Sequence, residues 1–205
     1  EDEKDEGEEE ELDTSCDEFE FSALTRKIED TIQELGGAIF PKLNWSAPKD
    51  ASWVNGGTLE CRTAGDVYLV LKGSDFCSFD ASHTDVPVQL VLRKWCNLYP
   101  SQEFRCFVRD NTLIAISQRH HSQHWPYLQD LQYQLDLKDE FAEFHENVMK
   151  QSAFPLSDYV FDVYRDKKDR IWLIDMNVWA SQTDALLFDW SELVSWTASG
   201  VELRV

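Results

Sequence analysis

The 205-residue sequence predicts an α+β fold, antiparallel sheets flanked by helices. Three observations carry that reading. Residues 160–165 and 170–177 are two runs rich in β-branched and aromatic side chains around the polar break Asp166-Lys167-Lys168-Asp169, the pattern of a hairpin. Residues 103–109 and 112–119 repeat the pattern around Asp110-Asn111. Residues 22–35 and 127–150 instead space their apolar side chains at helical period. The length suits one domain or two small lobes.

Taken in order, the chain opens on charge. Residues 1–20 hold thirteen Asp or Glu against the single Lys4, a net −12 out of −20 for the whole chain. Such a stretch has too little apolar surface to offset chain entropy, and a disordered acidic tail is expected over 1–20. Ser22 then caps a helix with Leu24, Ile28, Ile32 and Leu35 on one face, ended by Gly36-Gly37. Residues 38–40 read as a short strand running into a loop over 41–50, which carries Lys42, Trp45 and Lys49 between two prolines. Lys42 and Lys49 are placed to reach a phosphate. The alternative is that both are solvated and Trp45 pins the loop to the core.

Thr63 and Asp66 have the spacing of a capping box, which predicts a short helix through Val67, Val70 and Leu71 with Gly73 past its end. Lys72 there complements the helix dipole. Residues 74–87 read as a surface loop and 88–95 as a mostly buried strand. Arg93 and Lys94 follow its apolar run on opposite faces, and one of them is expected to meet an anion. In the hairpin over 103–119, Glu103 and Arg105 share a face and could pair with each other. His120, His121 and His124 read as solvated surface, since a zinc site needs more ligands at defined spacing. Over 127–150 the expected buried stripe is Leu128, Leu131, Leu135, Phe141, Phe144 and Val148. The last helix is capped by Asp189 or Ser191.

The hairpin over 160–177 carries the chemistry. Alternation puts Ile171, Leu173, Asp175 and Asn177 on one face. Pairing Arg165 with Arg170 sets Asp162 opposite Leu173 and diagonal to Asp175, at roughly 7 Å between Cβ atoms. Two carboxylates so placed repel each other and are costly to bury unpaired, and the Asn177 amide is the next side chain along that face. A magnesium ion held by Asp162, Asp175 and Asn177 resolves both problems. The alternatives are a carboxylate pair at a solvated strand end, or one protonated Asp.

Other chemistries find no support. The acidic balance disfavours nucleic acid, whose phosphates need Lys and Arg. No apolar run reaches membrane-spanning length and no secretory leader is read. Glu1 in place of Met suggests a trimmed chain. Five cysteines without a C-x-x-C pair argue against zinc or a disulfide framework, so a cytoplasmic location is expected. No Walker loop, G-x-G-x-x-G or Ser/His/Asp arrangement is present.

Six segments occur in order: residues 40–50 (Phe-Pro-Lys-Leu-Asn-Trp-Ser-Ala-Pro-Lys-Asp), 90–96 (Leu-Val-Leu-Arg-Lys-Trp-Cys), 103–108 (Glu-Phe-Arg-Cys-Phe-Val), 116–119 (Ile-Ser-Gln-Arg), 161–166 (Phe-Asp-Val-Tyr-Arg-Asp) and 172–177 (Trp-Leu-Ile-Asp-Met-Asn). Together they resemble the cell division cycle protein 123, or D123, family, over about residues 21–192. The resemblance implies an ATP-grasp-like fold, with lobes over 21–92 and 93–205 around a nucleotide cleft. It implies ATP and Mg2+ as cofactors, a role in assembling eukaryotic translation initiation factor 2, and that factor's γ subunit as partner. A monomer is expected. Lys42 matches a phosphate-contacting lysine, and Asn44, Trp45, Ala47 and Lys49 match a loop covering the nucleotide. Arg93, Lys94 and Trp95 match the hinge at the adenosine end, Arg105 a basic residue of the second hairpin, and Asp162, Asp175 and Asn177 the magnesium ligands. Lys49 replaces a familiar Arg, which loses a bidentate fork. The loop between Ser74 and Leu90 is short, and the family's extreme N-terminal segment and C-terminal tail have no match. The same apparatus would serve an ATP-grasp ligase or kinase, the alternative to an assembly factor.

Overall fold

The computed structural model describes residues 15–83, 85–152 and 154–205. The expectation of a disordered acidic tail therefore falls mostly outside the described residues. Its last part does not: helix α1 spans Ser15–Glu34, starting before the expected Ser22. The chain forms two compact units, up to Cys96 and from Asn97 to Val205. The division lies beyond the one expected between residues 92 and 93, because strand β2 (Val91–Lys94) pairs antiparallel with β1 (Ile39–Lys42) and keeps Arg93 and Lys94 in the first unit.

In the first unit Ile28 and Ile32 of α1 are buried as expected, whereas Leu24 is exposed. Gly36 and Gly37 both take positive φ, and the Gly37 amide donates to the Ile32 carbonyl at 2.7 Å, so the helix ends in a left-handed cap that glycine adopts without strain. Helix α2 (Ala64–Lys72) has the capping box read from Thr63 and Asp66, and packs Ala64, Val67 and Val70 against Ile28, Ile32, Ile39 and Cys61. The expected surface loop after Gly73 is instead helix α3 (Asp75–Ser82), with Ser74 as its N-cap. Asp50 supplies what the local sequence does not show. Its carboxylate accepts from Ser74 Oγ at 2.6 Å and from the Asp75 amide at 2.8 Å, closing the helix start from 25 residues away. The expected buried strand over 88–95 shortens to β2, whose apolar residues are half-buried and whose basic pair is exposed.

The second unit is a five-stranded sheet in the order β6-β5-β3-β4-β7. Its strands are β3 (Glu103–Arg109), β4 (Thr112–Gln118), β5 (Tyr159–Arg165), β6 (Ile171–Val178) and β7 (Glu202–Arg204). All neighbours are antiparallel except β4 and β7. Asp110 and Asn111 both take positive φ, as a tight turn compatible with strand twist demands. One sheet face buries Phe104, Cys106, Ile116, Phe161 and Val163 beneath helix α4 (Leu131–Phe144). The predicted stripe of α4 is only partly right. Leu128 and Phe141 are buried, but Leu131, Leu135 and Val148 are exposed, and Leu137, His145 and Met149 point inward instead. Together with Phe141 those inward positions recur every four residues, and a π-helical turn over His145–Met149 carries the series past the end of α4. The other face packs Phe107, Ala115 and Val160 against Phe188 and Leu193, the latter on helix α5 (Trp190–Val194), which Asp189 caps with Glu192.

Candidate functional site

The chemistry-bearing residues lie on the same face of the second sheet as Phe107 and Val160, beside the patch that packs against Phe188 and Leu193. The register of that face starts at the β5–β6 loop. Asp166 accepts hydrogen bonds from the Lys168 and Arg170 amides, from Arg170 Nε and from Trp172 Nε1. The Arg170 guanidinium foremost holds the Asp166 carboxyl well below the ordinary carboxylate range. With Asp169 in the left-handed region and the Asp166 amide bonded to the Arg170 carbonyl, Arg170 belongs to the loop. The first strand pair is therefore Arg165 with Ile171, not Arg165 with Arg170.

That one-residue slip would turn Asp175 to the face beneath α4. It does not, because the ladder jumps from Val163–Leu173 to Asp162–Asp175 and leaves Ile174 as a bulge. Ile171 and Leu173 thus lie on the opposite face from Asp175 and Asn177, which corrects the expectation that all four share one. Asp162 and Asp175 are direct cross-strand partners rather than diagonal neighbours, and Asn177 Nδ2 lies 3.5 Å from Asp162 Oδ2. The three expected metal ligands do share a face.

Cations already stand beside Asp162. Arg105, its β3 neighbour, donates Nε to Oδ1 at 2.8 Å and Nη2 to Oδ2 at 2.9 Å. Both residues are buried, Asp162 at 3% and Arg105 at 6% exposure. Arg105 Nη1 also donates to the Asp184 carbonyl at 2.7 Å. Arg119, just beyond β4, donates Nη1 to Asp162 Oδ2 at 2.6 Å. So Arg105 pairs with Asp162 and not with Glu103, which lies near Arg119 and His120. Sequence reasoning missed Arg119 as a site residue. The signal was alternation: Ser117 is the cross-strand partner of Arg105, and Arg119 is two residues further on the same face. Among the described residues no group of three or more His, Cys, Asp or Glu is arranged to hold a metal, which includes His121 and His124.

The other expected residues lie in the first unit. Lys42 ends β1, opposite Val91, and Trp95 donates its amide to the Ala38 carbonyl at 3.0 Å beside β2. Asn44 is a staple, accepting from the Gln89 amide at 2.6 Å and donating to the Pro87 carbonyl at 3.0 Å. Trp45 is exposed at 67% and does not anchor its loop to the core. Ala47 is half-buried, and its carbonyl accepts from the amide of exposed Lys49 at the start of a 3-10 helix over Lys49–Asn55.

These elements define an α+β protein with antiparallel sheets and one ionic, oxygen-rich sheet face. Comparison with known proteins agrees. The family model D123 matches residues 1–205. A "Translation initiation factor eIF2 assembly protein" of Xenopus tropicalis is 42% identical over 196 residues, 89% of this chain and 58% of that protein. "Cell division cycle protein 123" of Phaeosphaeria nodorum is 46% identical over 190 residues, 85% of this chain and 49% of that protein. The solved structure of Cdc123 from Schizosaccharomyces pombe, at 40% identity, superposes with a TM-score of 0.75 over 88% of this chain and 77% of that one. Its C-terminally truncated form, at 38% identity, gives 0.79 over 95% and 82%. The chain belongs to the D123 family. It spans about half the length of the curated relatives it matches.

Proposed function

We propose that this chain is an ATP- and magnesium-binding assembly factor for eukaryotic translation initiation factor 2, acting in the cytoplasm on that factor's γ subunit, with an ATP-grasp-like fold. The relatives named above as assembly proteins support the process. The single observation that carries the chemistry is the convergence of Asp162, Asp175 and Asn177 on one sheet face beside Arg105. Two carboxylates and an amide are hard oxygen donors of the kind magnesium takes, usually with waters and phosphate oxygens completing its shell. The donor set fits the ion. Bound there, magnesium would neutralise phosphate charge, while the chain's own residues bind and orient the nucleotide. Lys42 is assigned to phosphate, Asn44, Trp45, Ala47 and Lys49 to covering the nucleotide, Arg93, Lys94 and Trp95 to its adenosine end, and Arg105 to holding Asp162 in place.

Calorimetric titration tests the reading. ATP should bind with magnesium and much less without it, and Asp175→Ala should weaken binding about tenfold or more, roughly 1.4 kcal/mol. The γ subunit should be captured by the wild-type chain with ATP and magnesium, and poorly by Asp175→Ala. Equal ATP affinity in the two proteins would remove this sheet face from the function. Rapid partner-dependent ADP release, or a covalently modified product, would move the assignment to a ligase or kinase.

A further inference from the structure

The loop over 41–50, whose residues are assigned to phosphate and to covering the nucleotide, is held in place by helix α3 and the chain just beyond it. The Ser46 amide donates to Asp80 Oδ2 at 2.6 Å. Asp50 accepts from Ser74 Oγ at 2.6 Å, and from the Asp75 and Phe76 amides at 2.8 and 3.3 Å. Asn44 commits both ends of its side-chain amide past the helix, donating to the Pro87 carbonyl and accepting from the Gln89 amide. Between these ties Trp45 and Lys49 stay exposed. The loop is clamped by three of its side chains and amides while the residues between them face outward.

The dependence also runs the other way. Helix α3 has eight residues, fewer than the roughly 12–15 that an isolated helix needs in water. Cys77 is its one buried residue, whereas Phe76 and Phe79 are exposed. A helix with so little apolar burial opens locally at small cost. Three amides of its first turn are orphans of the helix itself. Asp50 accepts from two of them, and the third, that of Cys77, donates to Ser74 Oγ at 3.1 Å, the hydroxyl that Asp50 also holds. One carboxylate of the nucleotide loop thus closes the start of α3.

We infer that Asp50 is a positioning residue for the proposed nucleotide site, coupling the covering loop to helix α3 so that the two order together. The inference rests on the assignment of this loop to the nucleotide. A ligand that needs the ordered loop loses affinity in proportion to the fraction of molecules in which the loop is disordered, and α3 supplies the partners that keep that fraction small. Coupling of this kind is reciprocal: ATP stabilises α3, and opening α3 weakens ATP.

The experiment combines calorimetric titration of ATP with magnesium and amide hydrogen exchange over residues 75–83, on the full chain, on Asp50→Ala and on Ser74→Ala. In wild type, ATP with magnesium should slow that exchange about tenfold. Asp50→Ala should speed it without ligand and weaken ATP about tenfold, about 1.4 kcal/mol. Ser74 lies outside the loop and is assigned no contact with the nucleotide, so Ser74→Ala isolates the brace. It should weaken ATP about threefold, and it serves if Asp50→Ala melts early. A purely structural tie would speed exchange in both variants and leave ATP affinity at the wild-type value, which overturns the inference. Tight ATP binding by wild type without slower exchange over 75–83 also overturns it and leaves the proposed function standing. Failure of wild type to bind ATP removes the proposed function, and this inference with it.

Discussion

Asp162 and Asp175 face each other across two strands, yet their energetics differ. Asp162 is buried against Arg105, and removing one partner of such a pair strands the other charge in the interior, typically at about 3–5 kcal/mol. Asp162→Ala should therefore lower unfolding free energy by about that much, read from urea denaturation without ligand. Asp175 is half-buried on the edge strand β6, so Asp175→Ala should cost less than about 1 kcal/mol. If both variants lose equal stability, the Asp162–Arg105 pair is not the buried ion pair described. Loss of binding in Asp162→Ala would mix a fold defect with a ligand defect. Asp175 is the cleaner probe of the metal.

At the scale of elements, the exit from α4 carries a titratable group inward. The π-helical turn points His145 at the sheet, where its ring stacks on Phe161 and its Nε2 lies 3.2 Å from the Tyr159 hydroxyl. Burial pushes the imidazole below its ordinary value, Lys150 adds to that shift, and Glu146 opposes it. The sign follows from where the proton goes. The native ring stays neutral after the unfolded ring, with its ordinary value near 6.5, has begun to protonate. The stabilising contribution is thus complete above pH 6.5 and is lost as pH falls from there through the depressed native value. Denaturation midpoints should drop between pH 7.5 and pH 5 in wild type by more than in His145→Gln. An identical drop in both would mean the ring is protonated in the fold. The bulge at Ile174 works at the same scale, since one extra residue returns Asp175 to the face of Asp162 after the loop has slipped the register by one.

Across the whole molecule, each unit has its own core. The first gathers around Ile28, Ile32, Ile39, Val67 and Val70, and the second around Phe104, Phe141 and Phe161 on one sheet face and Phe107, Phe188 and Leu193 on the other. A unit with a complete core and a paired sheet should fold alone. Residues 97–205 expressed separately should then give a cooperative thermal transition with β-rich circular dichroism. A broad, non-cooperative melt would show that its core depends on the first unit. No helix among the described residues is long and apolar enough to cross a membrane.

The sequence by itself determined the features whose causes lie within a few residues: the Thr63–Asp66 capping box, the glycine stop of α1, and the Asp110-Asn111 turn, while for the last helix it left Asp189 and Ser191 as alternative caps, of which the structure uses Asp189. It also carried family membership, because the motifs span the chain. Only the tertiary structure decided the rest. Helix α3 starts where Asp50 reaches it, so a local reading of residues 74–87 finds a loop. The inward side of α4 depends on the sheet beneath it, and apolar residues at Leu131 and Leu135 satisfy the same period while facing solvent. Asp162 and Asp175 share a face through a slip and a bulge that offset each other, and alternation counts neither. The charge on Asp162 is met by Arg105, 57 residues away, and by Arg119, 43 residues away. The reason is physical: caps and turns are set by backbone groups close in the chain, whereas register and the neutralisation of a buried charge are settled by whichever strands become neighbours.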